Sequence, residues 1–214
     1  MELMQIRRQM MCYPDLPPVY RRVAWLEGQG AQYINTGIHG KSGLTAKYKI
    51  AFTRTDAVQQ VCASAPSATN TRIYFPYNSG NAVWSILYDS SGVINITGVT
   101  MNANVPYEVE ATFEAGNQRI IIDGNVRYTG ANESDFISTL PLWLFAANNP
   151  GGETVKRYAY AKIYTFSLLE SPTGQLLANY IPCIRRSDNK PGMYDTVSKV
   201  FKTNAGSGEF AVPS

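Results

Sequence analysis

The sequence contains little charge, and this excludes several classes of protein. Only 16% of its 214 residues are charged, and the formal net charge is +3. A coiled coil or a disordered chain needs a much larger charged fraction. A nucleic-acid module that binds through charge needs a basic patch, and Lys and Arg are scattered here apart from a few Arg-Arg pairs. We therefore expect no nucleic-acid partner.

The residues that most metal and nucleophilic sites use are also scarce. There is one histidine, His39, in a glycine-containing stretch that predicts a solvated turn. The three cysteines, Cys12, Cys62 and Cys183, are widely spaced, which fits neither a disulfide framework nor a zinc site and indicates small buried thiols. The HExxH, P-loop and GxGxxG patterns do not occur in the sequence. We expect no metal and no cofactor.

Long apolar runs are missing as well. The windows without charge are broken by Ser, Asn, Thr, Gly and Pro, so the sequence predicts no membrane span and no membrane partner. Near the N-terminus, Arg7 and Arg8 stand where a secretory signal would have its apolar core. The sequence therefore predicts a chain that is made and folded in a cytoplasm.

Neutral polar residues take the place of the missing charge. The chain has 15 Ser, 16 Thr and 15 Asn, together with 17 Gly, 12 Pro and 14 Tyr, which is typical of strands and turns. Apolar and polar residues alternate over Leu44–Thr53, Tyr107–Glu114 and Arg157–Leu169, as in half-buried strands. Asp123-Gly124 predicts a tight hairpin turn.

Further segments complete an all-β architecture. Leu140–Ala147 is nearly all apolar and predicts a strand covered on both faces, while Leu176–Ile184 and Gly192–Lys202 each predict one strand. About ten to twelve short strands with frequent turn signals indicate a two-sheet antiparallel sandwich or jelly roll. The sequence assigns this domain to residues 23–214.

Residues 1–22 form a separate N-terminal arm in this interpretation. Leu3, Ile6 and Met10 have helical spacing beside Arg7 and Arg8, and the prolines that follow predict an extended stretch. So short an apolar stripe must pack on something. That surface is either the chain's own domain or a neighbouring subunit. We expect these five residues to anchor the chain.

One pair of carboxylates has a spacing that suits glycoside hydrolysis. Glu108 and Glu110 lie two positions apart on a predicted strand, so they share a face about 6.5–7 Å apart, within the range for an inverting glycosidase. Glu114 continues the same row, as expected of an ordinary solvated strand face. We therefore predict that the protein is not an enzyme.

The aromatic residues offer a stronger binding signal. The predicted hairpin IYFPYNSGNAVWSILY has few charges and carries more rings than we expect to point inward. Exposed rings beside Asn and Ser suit sugars, which present an apolar face and a rim of hydroxyls. Tyr77, Trp84 and Tyr88 are therefore the candidate carbohydrate-binding residues, whereas Trp143, within LPLWLFAA, is expected in the core.

Three segments resemble a known superfamily: Val23–Ile38, the pair LPLWLFAANNPGG and YAYAKIYTFSL, and Tyr180–Phe210. Together they resemble the LamG-like, concanavalin A-like lectin and glucanase jelly rolls of phage proteins and gut-bacterial surface proteins. The resemblance implies two packed antiparallel sheets with a concave face. The Glu-x-Asp-x-Glu motif of the glucanases is not matched at Glu108-Val109-Glu110, which argues against hydrolysis.

The resemblance and the predicted cytoplasmic folding together indicate a role. We expect a non-enzymatic phage virion protein, for example a capsid decoration, head fibre or tail-associated protein, which is assembled in the host cytoplasm. Its partners would be other virion proteins and copies of itself, with host or environmental glycans as ligands. The alternative is a carbohydrate-binding or adhesin module on a bacterial cell surface, and a glycoside hydrolase comes third.

Overall fold

The computed structural model describes residues 16–66, 71–150, 156–171 and 173–213, and the elements whose bounds it gives are eighteen β-strands. They are β1 (Tyr20–Arg22), β2 (Leu26–Gln29), β3 (Ile34–Lys41), β4 (Leu44–Phe52), β5 (Val58–Gln59), β6 (Cys62–Ser64), β7 (Ile73–Ser79), β8 (Trp84–Tyr88), β9 (Val93–Asn95), β10 (Tyr107–Glu114), β11 (Asn117–Ile122), β12 (Asn125–Gly130), β13 (Ile137–Leu144), β14 (Ala147–Asn148), β15 (Tyr160–Glu170), β16 (Gln175–Arg185), β17 (Lys190–Asp195) and β18 (Val200–Thr203).

The first layer is a ten-stranded antiparallel sheet in the order β12-β11-β10-β4-β15-β16-β17-β18. Two short strands extend it, because β1 pairs with β16 and β2 pairs with β15. The second layer consists of two four-stranded sheets, β14-β6-β13-β3 and β5-β7-β8-β9, with β6 beside β7. The architecture is the predicted all-β sandwich, with more and shorter strands than the expected ten to twelve.

The core lies between the two layers, and alternation along the strands fills it. On β4, Leu44, Ala46 and Tyr48 point inward with Ile50 and Phe52, while Lys47 and Lys49 point outward, as predicted. Residues of β10 alternate in the same way. Strand β13 contributes Leu142 and Leu144 to the same core from the second layer.

Two turns show how far local sequence determines the chain path. Asp123 and Gly124 have φ values of 50° and 74°, which confirms the predicted tight hairpin between β11 and β12. Gly192–Lys202 was expected as one strand and is instead the end of β17, a turn and the start of β18. Asp195 causes this turn: its carboxylate accepts hydrogen bonds from Val197 N at 3.0 Å and Ser198 Oγ at 2.6 Å.

The two ends of the described chain join the first sheet. Tyr20–Arg22, which the sequence assigned to the arm, pair with β16, and Ala211 bridges to Glu27 of β2. The predicted anchoring residues Leu3, Ile6, Arg7, Arg8 and Met10 lie outside the described residues.

The cysteines that the structure describes are free and buried, as predicted. Burial raises the pKa of the Cys62 thiol well above its usual value and raises the pKa of Cys183 to about 12. Among the described residues, no helix has the length and apolar character needed to cross a bilayer.

Candidate functional site

The aromatic hairpin β7–β8 forms as predicted, but its rings are not exposed. Tyr77, Trp84 and Tyr88 have 1%, 0% and 2% of their surface accessible, respectively. The prediction that these three rings present a sugar-binding surface is therefore wrong. For Trp84 and Tyr88, the reason is that the second layer places their side chains directly over the first sheet.

Two of these rings pack inside the sandwich. Trp84 makes edge-to-face contacts with Phe52 and Tyr107, with ring centroids 5.6 and 5.5 Å apart. Tyr88 packs on Phe113 and donates a hydrogen bond from its hydroxyl to the carbonyl of Ser134 at 2.5 Å. Burial raises the pKa of the Tyr88 phenol to about 12.

Tyr77 occupies the other face of the same hairpin. It belongs to a small apolar cluster of buried residues: Ala63, Ala65, Tyr74, Tyr77, Leu87 and Ala147. Burial raises its pKa as well. Even on the outer side of the second layer, this part of the hairpin leaves almost no aromatic surface accessible to a ligand.

The candidate catalytic carboxylates lie on the outer face of the first sheet. Glu110 forms an ion pair with Lys47 at 3.0 Å, and Glu108 forms one with Lys49 at 3.4 Å, in cross-strand register between β10 and β4. Both glutamates are solvent-accessible and paired, which is the arrangement of a solvated strand face. Across the described chain, no three His, Cys, Asp or Glu side chains come together as a metal site.

A second group of rings lies half-exposed on the outer face of the second layer. Tyr33 stacks on Trp143 with a centroid distance of 3.9 Å and an interplanar angle of 17°. Tyr158 lies beside Tyr33, with the ring centroids 6.4 Å apart. All three side chains are partly accessible to solvent. We call Tyr33, Trp143 and Tyr158 the ring platform.

Strand register brings Tyr33 and Trp143 together. Trp143 of β13 is directly opposite Asn35 of β3, and Leu144 is opposite Ile34. Side chains alternate between faces, so Trp143 points away from the core that Leu144 fills, on the same side as Asn35 and Tyr33. Trp143 was expected in the core, and that prediction is wrong because an apolar run hides the alternation of faces.

The C-terminal turn Asn204–Gly208 fixes the backbone of Tyr33. Asn204 Oδ1 accepts a hydrogen bond from Tyr33 N at 3.0 Å, and Ala205 N donates to Tyr33 O at 2.9 Å. Gly206 packs so tightly there that an added Cβ would clash with the Ala31 carbonyl oxygen and lie 3.1 Å from Tyr33 Cδ1. This tight turn, which the sequence predicted, supports the platform from one side.

Phe145 holds the other side of the platform. Its φ of 67° is unusual for a bulky residue and stores about 1–3 kcal/mol of strain. The Phe145 carbonyl accepts a hydrogen bond from Ala159 N at 2.7 Å, and Phe145 N donates to Val61 O at 2.8 Å. These bonds hold the segment that carries Tyr158 next to the end of β13.

Polar and cationic groups surround the rings. The Lys156 ammonium lies 5.9 Å from the centroid of the Trp143 ring. Asn35 is exposed on β3, and its carbonyl accepts a hydrogen bond from Lys202 Nζ at 3.1 Å. His39 is solvated, as predicted, but it lies on β3 rather than in a turn, with Nδ1 2.9 Å from Ser138 O. A stacked aromatic surface with a polar rim is therefore available to a ligand here.

The fold has clear relatives, although no protein-family model matches the chain and no curated protein matches its sequence. A candidate carbohydrate-binding protein from Bacteroides ovatus superposes with a TM-score of 0.64 at 12% identity, over 91% of this chain and 60% of that one. A heptameric SAP-like pentraxin from Limulus polyphemus gives 0.54 at 10% identity, over 92% of this chain and 96% of that one.

The carbohydrate-binding module CBM40 of a Ruminococcus gnavus sialidase, bound to α2,3-sialyllactose, gives a TM-score of 0.51 at 10% identity, over 70% of this chain and 88% of that one. The present chain thus spans 60% of the length of the Bacteroides protein and nearly all of the pentraxin. At these identities the likeness concerns the fold alone. The chain has the LamG-like, concanavalin A-like jelly-roll fold that its sequence resembles.

Proposed function

We propose that this chain is a non-catalytic carbohydrate-binding domain whose ring platform stacks on the apolar face of a sugar. The observation that carries the proposal is the half-exposed, stacked pair Tyr33 and Trp143, 3.9 Å apart on the outer face of the second layer. Rings of this kind give a ligand a large apolar surface at low cost in conformational entropy, because each has only two rotatable side-chain bonds.

The supports of the platform favour a binding role. Tyr33 N donates a hydrogen bond to Asn204 Oδ1 and Tyr33 O accepts one from Ala205 N, while the Phe145 carbonyl fixes the segment of Tyr158. A preorganised surface loses little freedom on binding, which improves affinity. Strain at Phe145 beside the rings fits the tendency of unusual backbone conformations to cluster at functional sites.

A binding role also agrees with the arrangement of the carboxylates. Glu108 and Glu110 pair with lysines on the first sheet, whereas the ring platform lies on the second layer. A glycosidase needs both carboxylates beside the bound sugar. The carbohydrate-binding proteins among the structural relatives give this reading further support, through the fold.

The setting that we propose is the one predicted from the sequence: a phage virion, with the part of the N-terminal arm that precedes β1 anchoring the domain to another virion protein or to a second copy of the chain. The bacterial sources of two structural relatives favour the alternative, a module on a bacterial cell surface. Mass spectrometry of purified phage particles distinguishes the two, because a virion protein must be present there in stoichiometric amount.

The binding site itself is tested with a glycan array followed by calorimetry on the best ligand. Trp143→Ala should weaken binding about tenfold or more, since it removes half of the stacked surface. Trp25→Ala is the matched control, because Trp25 is also half-buried beside a lysine, with Lys162 4.7 Å from its ring, but lies next to β2 on the first sheet. The proposal fails if wild type binds no glycan, or if both variants bind like wild type.

A further inference from the structure

Lys202 is a cation at the edge of the platform whose only hydrogen-bond partner in the described chain is a neutral group. Its Nζ lies 3.1 Å from the carbonyl oxygen of Asn35, the residue directly opposite Trp143 in the β3–β13 register. Opposite residues of an antiparallel pair lie about 4.5–5.5 Å apart on one face. The ammonium therefore contacts the strand that pairs with the one carrying Trp143.

Lys202 belongs to the surface cations for which the structure describes no ion pair, as do Lys162 and Lys199. Carboxylates form ion pairs with five other cations: Lys41, Lys47, Lys49, Arg54 and Arg185. Over the described residues, no carboxylate lies within ion-pair distance of Lys202. An ammonium has three N–H donors, so the bond to Asn35 leaves two for a ligand.

The strand surface beside Lys202 has little side-chain cover. Gly37, the next outward-facing residue of β3 after Asn35, has a φ of 74°, and a Cβ placed there would meet only Lys202 Nζ, at 4.0 Å. Asn35 and Gly37 are both exposed. The Asn35 side chain is held against the strand, since its Oδ1 accepts a hydrogen bond from Gly37 N at 3.0 Å, so an anionic group on a sugar stacked against Trp143 can reach the ammonium past this short amide.

Two further basic residues lie near the rings. Lys156 lies 5.9 Å from the Trp143 ring centroid, and the neighbouring Arg157 is exposed. Cations beside an aromatic surface raise the local concentration of anionic ligands and reject cationic ones.

We infer that the platform selects glycans that carry an anionic group, a carboxylate or a sulfate, and that Lys202 contacts this group. The inference rests on the proposed function, since it assigns the chemical class of the sugar bound at the same site. The charge-assisted hydrogen bond from Lys202 supplies the selectivity, and the stacked rings supply the remainder of the affinity.

The experiment compares ligands that differ in charge alone. The full chain is titrated by calorimetry with oligogalacturonate and its methyl ester, and separately with a sulfated galactan oligosaccharide and its desulfated form. The proteins are wild type, Lys202→Met, Trp143→Ala and the control Lys162→Met, which removes a lysine beside the half-buried Trp25 on the other sheet.

For at least one pair, wild type should bind the charged form about fivefold more tightly than the neutral form. Lys202→Met should abolish that preference by weakening binding of the charged form, while Lys162→Met behaves as wild type. The preference should also shrink as salt rises from about 0.05 to about 0.5 M, because the anion contact is partly solvated. The pair that shows the preference identifies the anion as carboxylate or sulfate.

Equal affinity for charged and neutral forms in both pairs would overturn the inference while leaving the proposed function intact. A preference that persists in Lys202→Met would overturn the role of that residue. Binding of charged forms that is unaffected by Trp143→Ala would instead contradict the proposed site.

Discussion

Trp84 and Trp143 lie in two aromatic groups of the same layer and occupy opposite faces of it. Trp84 points into the sandwich, is fully buried and meets Phe52 and Tyr107 edge to face. Trp143 points outward, stays half-exposed and stacks nearly parallel to Tyr33. Since both residues are tryptophans on short strands, the difference arises from strand position and from what faces each strand.

The comparison separates two uses of aromatic area in one fold. Around Trp84 and Tyr88, each ring faces other rings or apolar side chains of the core, so its surface contributes to folding. At the ring platform, part of the ring surface still faces water, and burial of that part on ligand binding contributes to affinity. Stability and binding should therefore respond to substitution in opposite ways at the two groups.

The largest expected effect is on stability. Trp84→Ala should lower the free energy of unfolding by about 3–5 kcal/mol, because it leaves a large cavity between the layers. Trp143→Ala should lower it by about 1 kcal/mol, since its ring is only half-buried. Urea denaturation followed by circular dichroism measures both.

A milder substitution keeps this comparison informative if Trp84→Ala does not fold. Trp84→Phe retains an aromatic ring and should lose roughly 1–3 kcal/mol while keeping wild-type glycan affinity. The division between the two groups breaks down if Trp143→Ala costs as much stability as Trp84→Ala, or if Trp84→Phe weakens glycan binding.

A smaller effect is expected at the hydroxyl of Tyr88. Tyr88→Phe removes the hydrogen bond to Ser134 O and should cost about 1 kcal/mol near neutral pH. Burial raises the pKa of this phenol from about 10 in the unfolded chain to about 12 in the folded protein, so its neutral form stabilises the fold below about pH 10.

That contribution is lost as pH rises from about 10 to about 12, because unfolding then releases a proton. The difference in unfolding free energy between wild type and Tyr88→Phe should thus shrink as pH rises over this range and change sign before about pH 12, where wild type becomes the less stable protein. Urea denaturation at several pH values measures it. A difference that stays constant with pH would show that Tyr88 is not held in a buried site.

The sequence predicts well those features that depend on neighbours in the chain. The alternation in Leu44–Phe52 and Tyr107–Glu114 predicts which side chains of each strand face the core, and Asp123-Gly124 predicts the hairpin turn. Even the Asn204–Gly208 turn follows from local residue types. These features need no knowledge of distant pairing.

The binding surface depends on pairing across long stretches of chain. Tyr33 meets Trp143 because β3 pairs with β13, more than a hundred residues away, and neither residue's own segment reveals this. Within LPLWLFAA, apolar residues occupy both faces, so the period of two carries no signal about which face is outward. Likewise, nothing in the residues around Trp84 indicated that its ring faces the core, so the prediction that it is exposed could not be corrected from the sequence.

The smallest expected effect on glycan affinity comes from the turn that supports the ring platform. Gly206→Ala places a methyl group against the Ala31 carbonyl and 3.1 Å from Tyr33 Cδ1, so the turn must shift and carry Tyr33 out of its stack on Trp143. Glycan affinity should fall about two- to fivefold, and the unfolding free energy should fall by about 1–2 kcal/mol, because the methyl group overlaps a backbone oxygen that also accepts a hydrogen bond from Ser207 N. Ser207→Ala, at an exposed position in the same turn, is the matched control and should leave both quantities at wild-type values. If Gly206→Ala binds glycan as wild type does, the ligand does not require the stacking of Tyr33 on Trp143. The contrast between the buried rings around Trp84 and the ring platform would then depend on Trp143 alone.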